Sequence, residues 1–291
     1  MTHSHTHDHD HQPGPDLNDL LELDAVVLAD YWDEVLSWVA DAAADGARLV
    51  VDLGTGVGTG ALGLSSRLPE AQVLAVDISA AALERLDAKA ARLGLGPRIR
   101  TVQADIDSSW PDFGLIDVTW VSMAIHHFSD PDLVLQAVRS STRPGGLLAV
   151  AEFSEFIRFL PRDLGIGRPG FEDRVTAALR LANHHAVPEL GSEWPPRVEA
   201  AGWRVLAHRD FEIDLPPPQS ADARAYACGW FERLASSSSI ALEADDRATL
   251  MELLDASSPH SLARREDLRI TGTRSVTLAT RDESPAEEEL A

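Results

Sequence analysis

Residues 50–60 read Val50-Val51-Asp52-Leu53-Gly54-Thr55-Gly56-Val57-Gly58-Thr59-Gly60. Apolar β-branched residues run into an acid, and then glycine recurs at every second position. The pattern predicts a short buried strand, a tight turn, and a helix resuming at 59 and stopping before Pro69. Glycine permits such a turn and lets a ligand lie directly on the backbone. The N-terminus of the following helix offers unpaired N–H groups to that ligand. Gly56, Gly58 and Ala61 also satisfy the loose dinucleotide pattern G-x-G-x-x-A. Asp52 tilts the reading the other way. A carboxylate just before the turn disfavours a pyrophosphate and suits a ligand that carries an ammonium group and no phosphate.

Working outward, apolar strands and amphipathic helices alternate. Residues 17–30 and 31–44 read as two helices and 49–51 as the first strand. Residues 73–76 are a second strand, followed by a helix from Ala80 that Ser79 caps and Gly94 stops. Residues 99–102, 116–121 and 147–151 are three more strands, and Asp130-Pro131 opens a helix between the last two. This rhythm predicts an α/β, doubly wound, mostly parallel sheet. Ligands of such sheets lie beyond the carboxyl ends of the strands. After residue 154 the rhythm changes. Helices are expected over 171–186 and 192–201, a strand over 203–213, and a strand or hairpin over 268–280. Between these last two lies a long insert, 216–267, with helices over 220–234 and 241–256. The resulting division is a His-rich tail (1–15), a domain over 16–281 with its core at 48–152, insertions at 155–190 and 216–267 forming a substrate cap, and an acidic tail (282–291).

Composition narrows the function. The chain has 291 residues, 44% of them hydrophobic, enough for a sizeable core. No run of 18 apolar residues appears, so no membrane partner is expected, and the start lacks a signal-peptide pattern. Lys+Arg number 25 against 47 Asp+Glu, a formal charge of −22. That field repels phosphate backbones, which argues against nucleic acid. The one cysteine, Cys228, forms no internal disulfide and fits a cytoplasmic setting. His3, His5, His7, His9 and His11 read as a solvated tail rather than a metal site, and His184-His185 as structural; no metal is assigned.

Two further acids fall in register with the glycine turn. Asp77 ends the second strand about 20 residues on, where an acid accepts the ribose hydroxyls of an adenosine. Ile78 beside it can cover an adenine face. Asp105, after the third strand, can accept from the adenine amino group.

The ordered set now resembles a known family. Asp-x-Gly-x-Gly-x-Gly, then Asp77, then Asp105, then Ile125-His126-His127-Phe128-Ser129-Asp130-Pro131, then Arg143-Pro144-Gly145-Gly146 is similar to the class I methyltransferases that use S-adenosylmethionine (SAM). Within them it is most similar to the branch of ubiquinone/menaquinone C-methyltransferases and small-molecule O-methyltransferases. The resemblance covers 48–152. It implies a seven-stranded sheet with an antiparallel last strand, and SAM as cofactor. It places Asp52, Gly54, Thr55, Gly56 and Gly58 at the methionine end, Asp77 and Ile78 at the ribose and adenine, Asp105 and Ile106 at the adenine, and Ser122 beside the sulfonium. It implies methyl transfer to an O-, N- or C-nucleophile of a small-molecule acceptor, and leaves a homodimer open. The insert at 216–267, where relatives have a short turn, departs from the pattern.

A hydroxyl acceptor must lose a proton. His126 and His127 stand just beyond the fourth strand, and imidazole titrates near neutrality. In some related sugar O-methyltransferases one histidine of this pair works with an acid after the fifth strand, matched here by Glu152. Two other readings remain: a non-catalytic SAM-binding protein, and an NAD(P)-dependent oxidoreductase resting on the glycine pattern alone. The insert's apolar residues, Trp230 and Phe231 among them, are expected to wall the acceptor chamber.

Overall fold

The computed structural model describes residues 16–282, and within them not the side chains of 184–186. The His-rich tail, nearly all of the acidic tail, and the His184-His185 side chains therefore lie outside the described residues.

Asp16 accepts from the Asn18 N–H and opens α1 (Leu17–Val27); Leu28 joins it to α2 (Ala29–Ala42). The alternating core follows: β1 (Leu49–Leu53), α3 (Thr59–Arg67), β2 (Gln72–Asp77), α4 (Ala80–Arg92), β3 (Ile99–Gln103), β4 (Ile116–Ser122), α5 (Pro131–Ser141) and β5 (Thr142–Arg158). Then come α6 (Phe171–Ala186), α7 (Trp194–Ala200), β6 (Arg204–Leu215), α8 (Ala221–Ser236), α9 (Ala244–Leu254) and β7 (Ile270–Thr280). Local signals act where expected. The Ser79 and Asp130 side chains accept from the N–H groups of Ala82 and Leu133, and Gly94 turns the chain after α4 at a φ of 71°.

The seven strands lie in the order β3-β2-β1-β4-β5-β7-β6. β7 runs antiparallel to both neighbours, and the other pairs are parallel. Strand order reverses between β1 and β4, which opens a crevice at their carboxyl ends. Side chains alternate across the sheet. Val50, Val118, Trp120 and Ala149 join one core with α2 and α3, whereas Val51, Val121, Leu148 and Val150 join a second core with α5, Trp194 and Trp203.

Two expectations needed revision. The fifth strand, expected over 147–151, continues to Arg158, because β7 pairs with it as far as Arg158↔Thr271. Of the two forms expected for 268–280 the strand is the one found, Ile270–Thr280. Within the insert, Phe231 is fully buried against Phe159 and Phe171, at ring distances of 6.0 and 6.3 Å. It is core, and only Trp230 of that pair reaches a surface cleft.

One buried ion pair fastens these layers. Arg274 on β7 is 3% exposed and donates to both carboxylate oxygens of Asp24 on α1. Asp24 also accepts from Trp32 Nε1 (3.1 Å) on α2 and from Tyr226 Oη (2.7 Å) on α8. Its carboxylate therefore joins four elements. Burial pushes the Tyr31 hydroxyl, beneath the same guanidinium, up to about 12. Removing one partner leaves the other charge buried and alone. Asp24→Ala should therefore cost about 3–5 kcal/mol of unfolding free energy in urea melts. The double change Asp24→Leu with Arg274→Met should recover most of it. A loss below about 1 kcal/mol in the single variant, the scale of surface pairs, would contradict the reading.

Candidate active site

Every predicted site residue but Glu152 lies at, or one loop beyond, the carboxyl end of β1, β2, β3 or β4; Glu152 stands inside β5, just past Ala151, where the parallel pairing with β4 ends. After β1 the chain turns through Gly54, Gly56 and Gly58 at φ of 68°, 52° and 86°. At Gly54 the space is taken as well, since a Cβ there would lie 2.4 Å from the Ala124 Cβ. The turn after β1 and the turn after β4 thus pack directly on each other. At Gly56 a Cβ would come within 3.2 Å of Leu21, so α1 rests against the glycine turn.

Asp52 is 2% exposed. Its carboxylate accepts from Thr55 Oγ1 at 2.7 Å and from the Ala61 N–H, so it pins the turn to the start of α3. Burial pushes it up to about 7, although these two donors oppose the rise. Asp77 meets the same turn from β2. Its Oδ2 accepts from the Gly56 N–H and its Oδ1 from the Ser79 N–H, both at 2.8 Å. Beside it Ile78 is 64% exposed, a large apolar side chain left bare at a strand end. Asp105, in the loop after β3, is exposed and accepts from the Asp107 N–H (3.1 Å) and Ser108 Oγ (2.5 Å); Ile106 is half-buried. Asp107 ties this loop to Ser129 beyond β4.

On the other side of the crevice, Ser122 ends β4 with a buried Oγ that has no partner. Met123 follows at a φ of +52°, the only non-glycine with positive φ among the described residues, and donates its N–H to Ala151 O (2.9 Å). Such backbone is costly and recurs where a site fixes it. A 3-10 turn, Ile125–His127, then carries the histidines. His126 Nδ1 lies 2.6 Å from Glu152 Oε2, with both residues buried. Glu152 Oε1 has no partner. The His127 ring lies against that of His126, with centroids 4.2 Å apart and planes tilted by 46°. Desolvation, and then the neighbouring His126, lower it to about 4, even though its residue keeps an exposed edge.

The structure brings the glycine turn, Asp77 and the His126–Glu152 contact to one crevice. Sequence reasoning missed Arg274, which reaches the region from a distant chain segment, and the positive φ of Met123, which leaves no sequence signal.

The family model described as a methyltransferase domain matches residues 50–146. The chain is 30% identical over 190 residues to the ubiquinone/menaquinone biosynthesis C-methyltransferase of Syntrophotalea carbinolica, covering 60% of this chain and 76% of that one. It is 34% identical over 106 residues to the trans-aconitate 2-methyltransferase of Azoarcus sp. (strain BH72), covering 36% and 39%. The fold matches the crystal structure of the YcgJ protein from Bacillus subtilis with a TM-score of 0.53 at 18% identity, covering 88% of this chain and all of that one. The chain belongs to the class I SAM-dependent methyltransferases. The chain spans between 26% and 50% of the length of three curated relatives it matches, the Azoarcus enzyme among them. No described helix is long and apolar enough to cross a membrane.

Asp52 yields a pH prediction. Its folded value, near 7, stands above its ordinary 3.8. The folded chain therefore holds this proton where the unfolded chain has lost it. The group's favourable contribution is complete below about pH 4 and is lost as pH rises through 7. Asp52→Asn should remove that fall, a difference in slope of roughly 1.4 kcal/mol per pH unit between pH 4 and 7. Parallel pH–stability curves for variant and wild type would contradict the assignment.

Proposed function

We propose that this chain transfers a methyl group from SAM to an oxygen of a small-molecule acceptor, with His126 as the base and Glu152 as its positioning partner. The observation that carries the reading is the buried 2.6 Å contact between His126 Nδ1 and Glu152 Oε2 at the edge of the crevice. The residues present fit SAM. Ile78 is an apolar face waiting for a flat partner, and Ser122 Oγ is an orphaned buried donor. Asp77 would hold the ribose hydroxyls, Asp105 and Ile106 the adenine, and the 54–58 turn the methionine end. When bound, SAM supplies an electrophilic methyl on a sulfonium.

The protein's own work is positional and protonic. An ionised carboxylate can only accept, so Glu152 fixes the proton on Nδ1 and leaves the Nε2 lone pair free. Nε2 has no protein partner among the described residues and can take the acceptor's hydroxyl proton. Glu152 then stabilises the imidazolium. His127, held near 4, is too weak a base for that task at neutral pH. Holding nucleophile and methyl in line supplies the larger share, up to ~7–11 kcal/mol. The net charge of −22 supports a non-nucleic-acid acceptor, and the reading takes the setting as cytoplasmic.

The domain division belongs to this proposal: 48–152 handles SAM, while 155–190 and 216–267 serve the acceptor side. The insert does so through α1. Tyr226 and Gly229 on α8 meet Asp24 and Leu20, and the same helix lays Leu21 on the glycine turn.

Calorimetry should show micromolar binding of S-adenosylhomocysteine, weakened at least tenfold, or about 1.4 kcal/mol, by Asp77→Ala. Across a panel of hydroxylated small molecules, His126→Gln should lower turnover of the active acceptor by about 10²–10⁴ with that affinity kept. Binding of NADH in place of S-adenosylhomocysteine would sink the reading. Binding without turnover of any acceptor would leave a non-catalytic SAM-binding protein.

A further inference from the structure

A cleft of about 330 Å³ opens beside the dyad. Its walls include Phe153, Ser154 and Phe156 from the outer half of β5, and Arg180, Asn183 and Leu190 from α6 and the loop after it. Phe153 follows Glu152 in the chain and connects the cleft to the base: its ring is 6.0 Å from that of His126. Phe156 lies a further 6.0 Å along, with the two ring planes only 37° apart. Two partly exposed aromatic rings, tilted to one another, therefore face one opening, an apolar wall suited to an aromatic ligand.

The far end of this wall is cationic. The Arg180 guanidinium sits over Phe156, 5.9 Å from the ring centroid. It is exposed and meets no carboxylate among the described residues. Nearby arginines differ: Arg158 pairs with Asp173, Arg174 with Asp246, and Arg197 with Asp132. In a chain with 22 excess acids, an arginine left unpaired on an aromatic face is available for an anion from outside. Asn183 and Ser154 add neutral polar groups to the same rim. The volume sits at the low end of small-ligand sites, which excludes a macromolecular segment and suits one ring with a short side chain.

From this arrangement we propose that the acceptor is a hydroxylated aromatic acid. Its ring lies along Phe153 and Phe156, its hydroxyl points to His126, and its carboxylate meets Arg180. The proposal rests on the methyl-transfer reading above and deepens it. Arg180 and Phe156 become specificity residues that touch the acceptor and not SAM. The reaction forms one O–CH₃ bond and breaks one S–CH₃ bond, and the hydroxyl proton passes to His126 Nε2. The carboxylate is bound and not consumed.

The test uses ligand-observed NMR on the full chain, with and without S-adenosylhomocysteine. The probes are 3-(4-hydroxyphenyl)propionate, its neutral amide, and malate as an acid without a ring. The aromatic acid should bind at least about tenfold more tightly than its amide, the scale of one charge-assisted hydrogen bond, and malate should not compete with it. Arg180→Met should erase the acid–amide difference while leaving S-adenosylhomocysteine affinity unchanged. Phe156→Leu should weaken acid and amide alike. Equal binding of acid and amide, binding of neither, or a preference that survives Arg180→Met overturns the proposal. Because the preference is read with and without S-adenosylhomocysteine, it is scored independently. If that nucleoside fails to bind, it is the methyl-transfer reading that falls.

Discussion

The Asp24–Arg274 pair is the contact on which the joining of α1, α2, α8 and β7 depends. The Rossmann-like half needs no such device, because parallel strands with an apolar residue at nearly every position bury themselves between two helix layers. The remaining elements, α1, α2, α8 and β7, come from both ends of the chain and share no local signal. Their common feature is one carboxylate that accepts from Trp32, Tyr226 and Arg274. A guanidinium that is 3% exposed persists only with such a partner. Despite the pull of burial, Asp24 and the two tyrosines hold Arg274 firmly charged. α1 is thereby fixed where Leu21 can lie on the glycine turn. The surface pairs of α1 with α4, Asp19 to Arg85 and Glu22 to Lys89, point the same way but are worth little each.

The crevice itself divides into two chemistries. Over β1, β2 and β3 the crevice presents the glycine turn, the acids Asp77 and Asp105, and the bare side chain of Ile78. Over β4 and β5 it presents a buried histidine, its carboxylate partner and two aromatic rings. The topological reversal between β1 and β4 is what sets these halves side by side. The contact of Gly54 with Ala124 keeps their turns in register, which explains why a side chain cannot stand at 54.

Much of this was legible in the sequence, for reasons that are local. Alternation across β1, the Ser79 and Asp130 caps and the glycine turn each act within a few residues, so their pattern survives in one dimension. Asp77 was legible because it ends a strand next to that turn, and Asp105 because it closely follows the next strand. What the sequence hid is long-range. Nothing near Asp24 names Arg274, 250 positions away. The helical stripe of α8 showed an apolar face but not what it would cover, so Phe231 looked like a chamber wall and is core. The outer half of β5 was missed because residues 154 and 155 are polar and exposed, interrupting an apolar run that only β7 completes.

Hydrogen–deuterium exchange of the full chain, with and without S-adenosylhomocysteine, tests the central claim most directly, since it reads where the nucleoside binds without needing the acceptor. The account predicts protection of backbone amides at 54–58, 77–79 and 105–107, with α9, on the far side of the insert, unchanged. Protection confined to α6, α8 or α9, or none at the glycine turn, would contradict it.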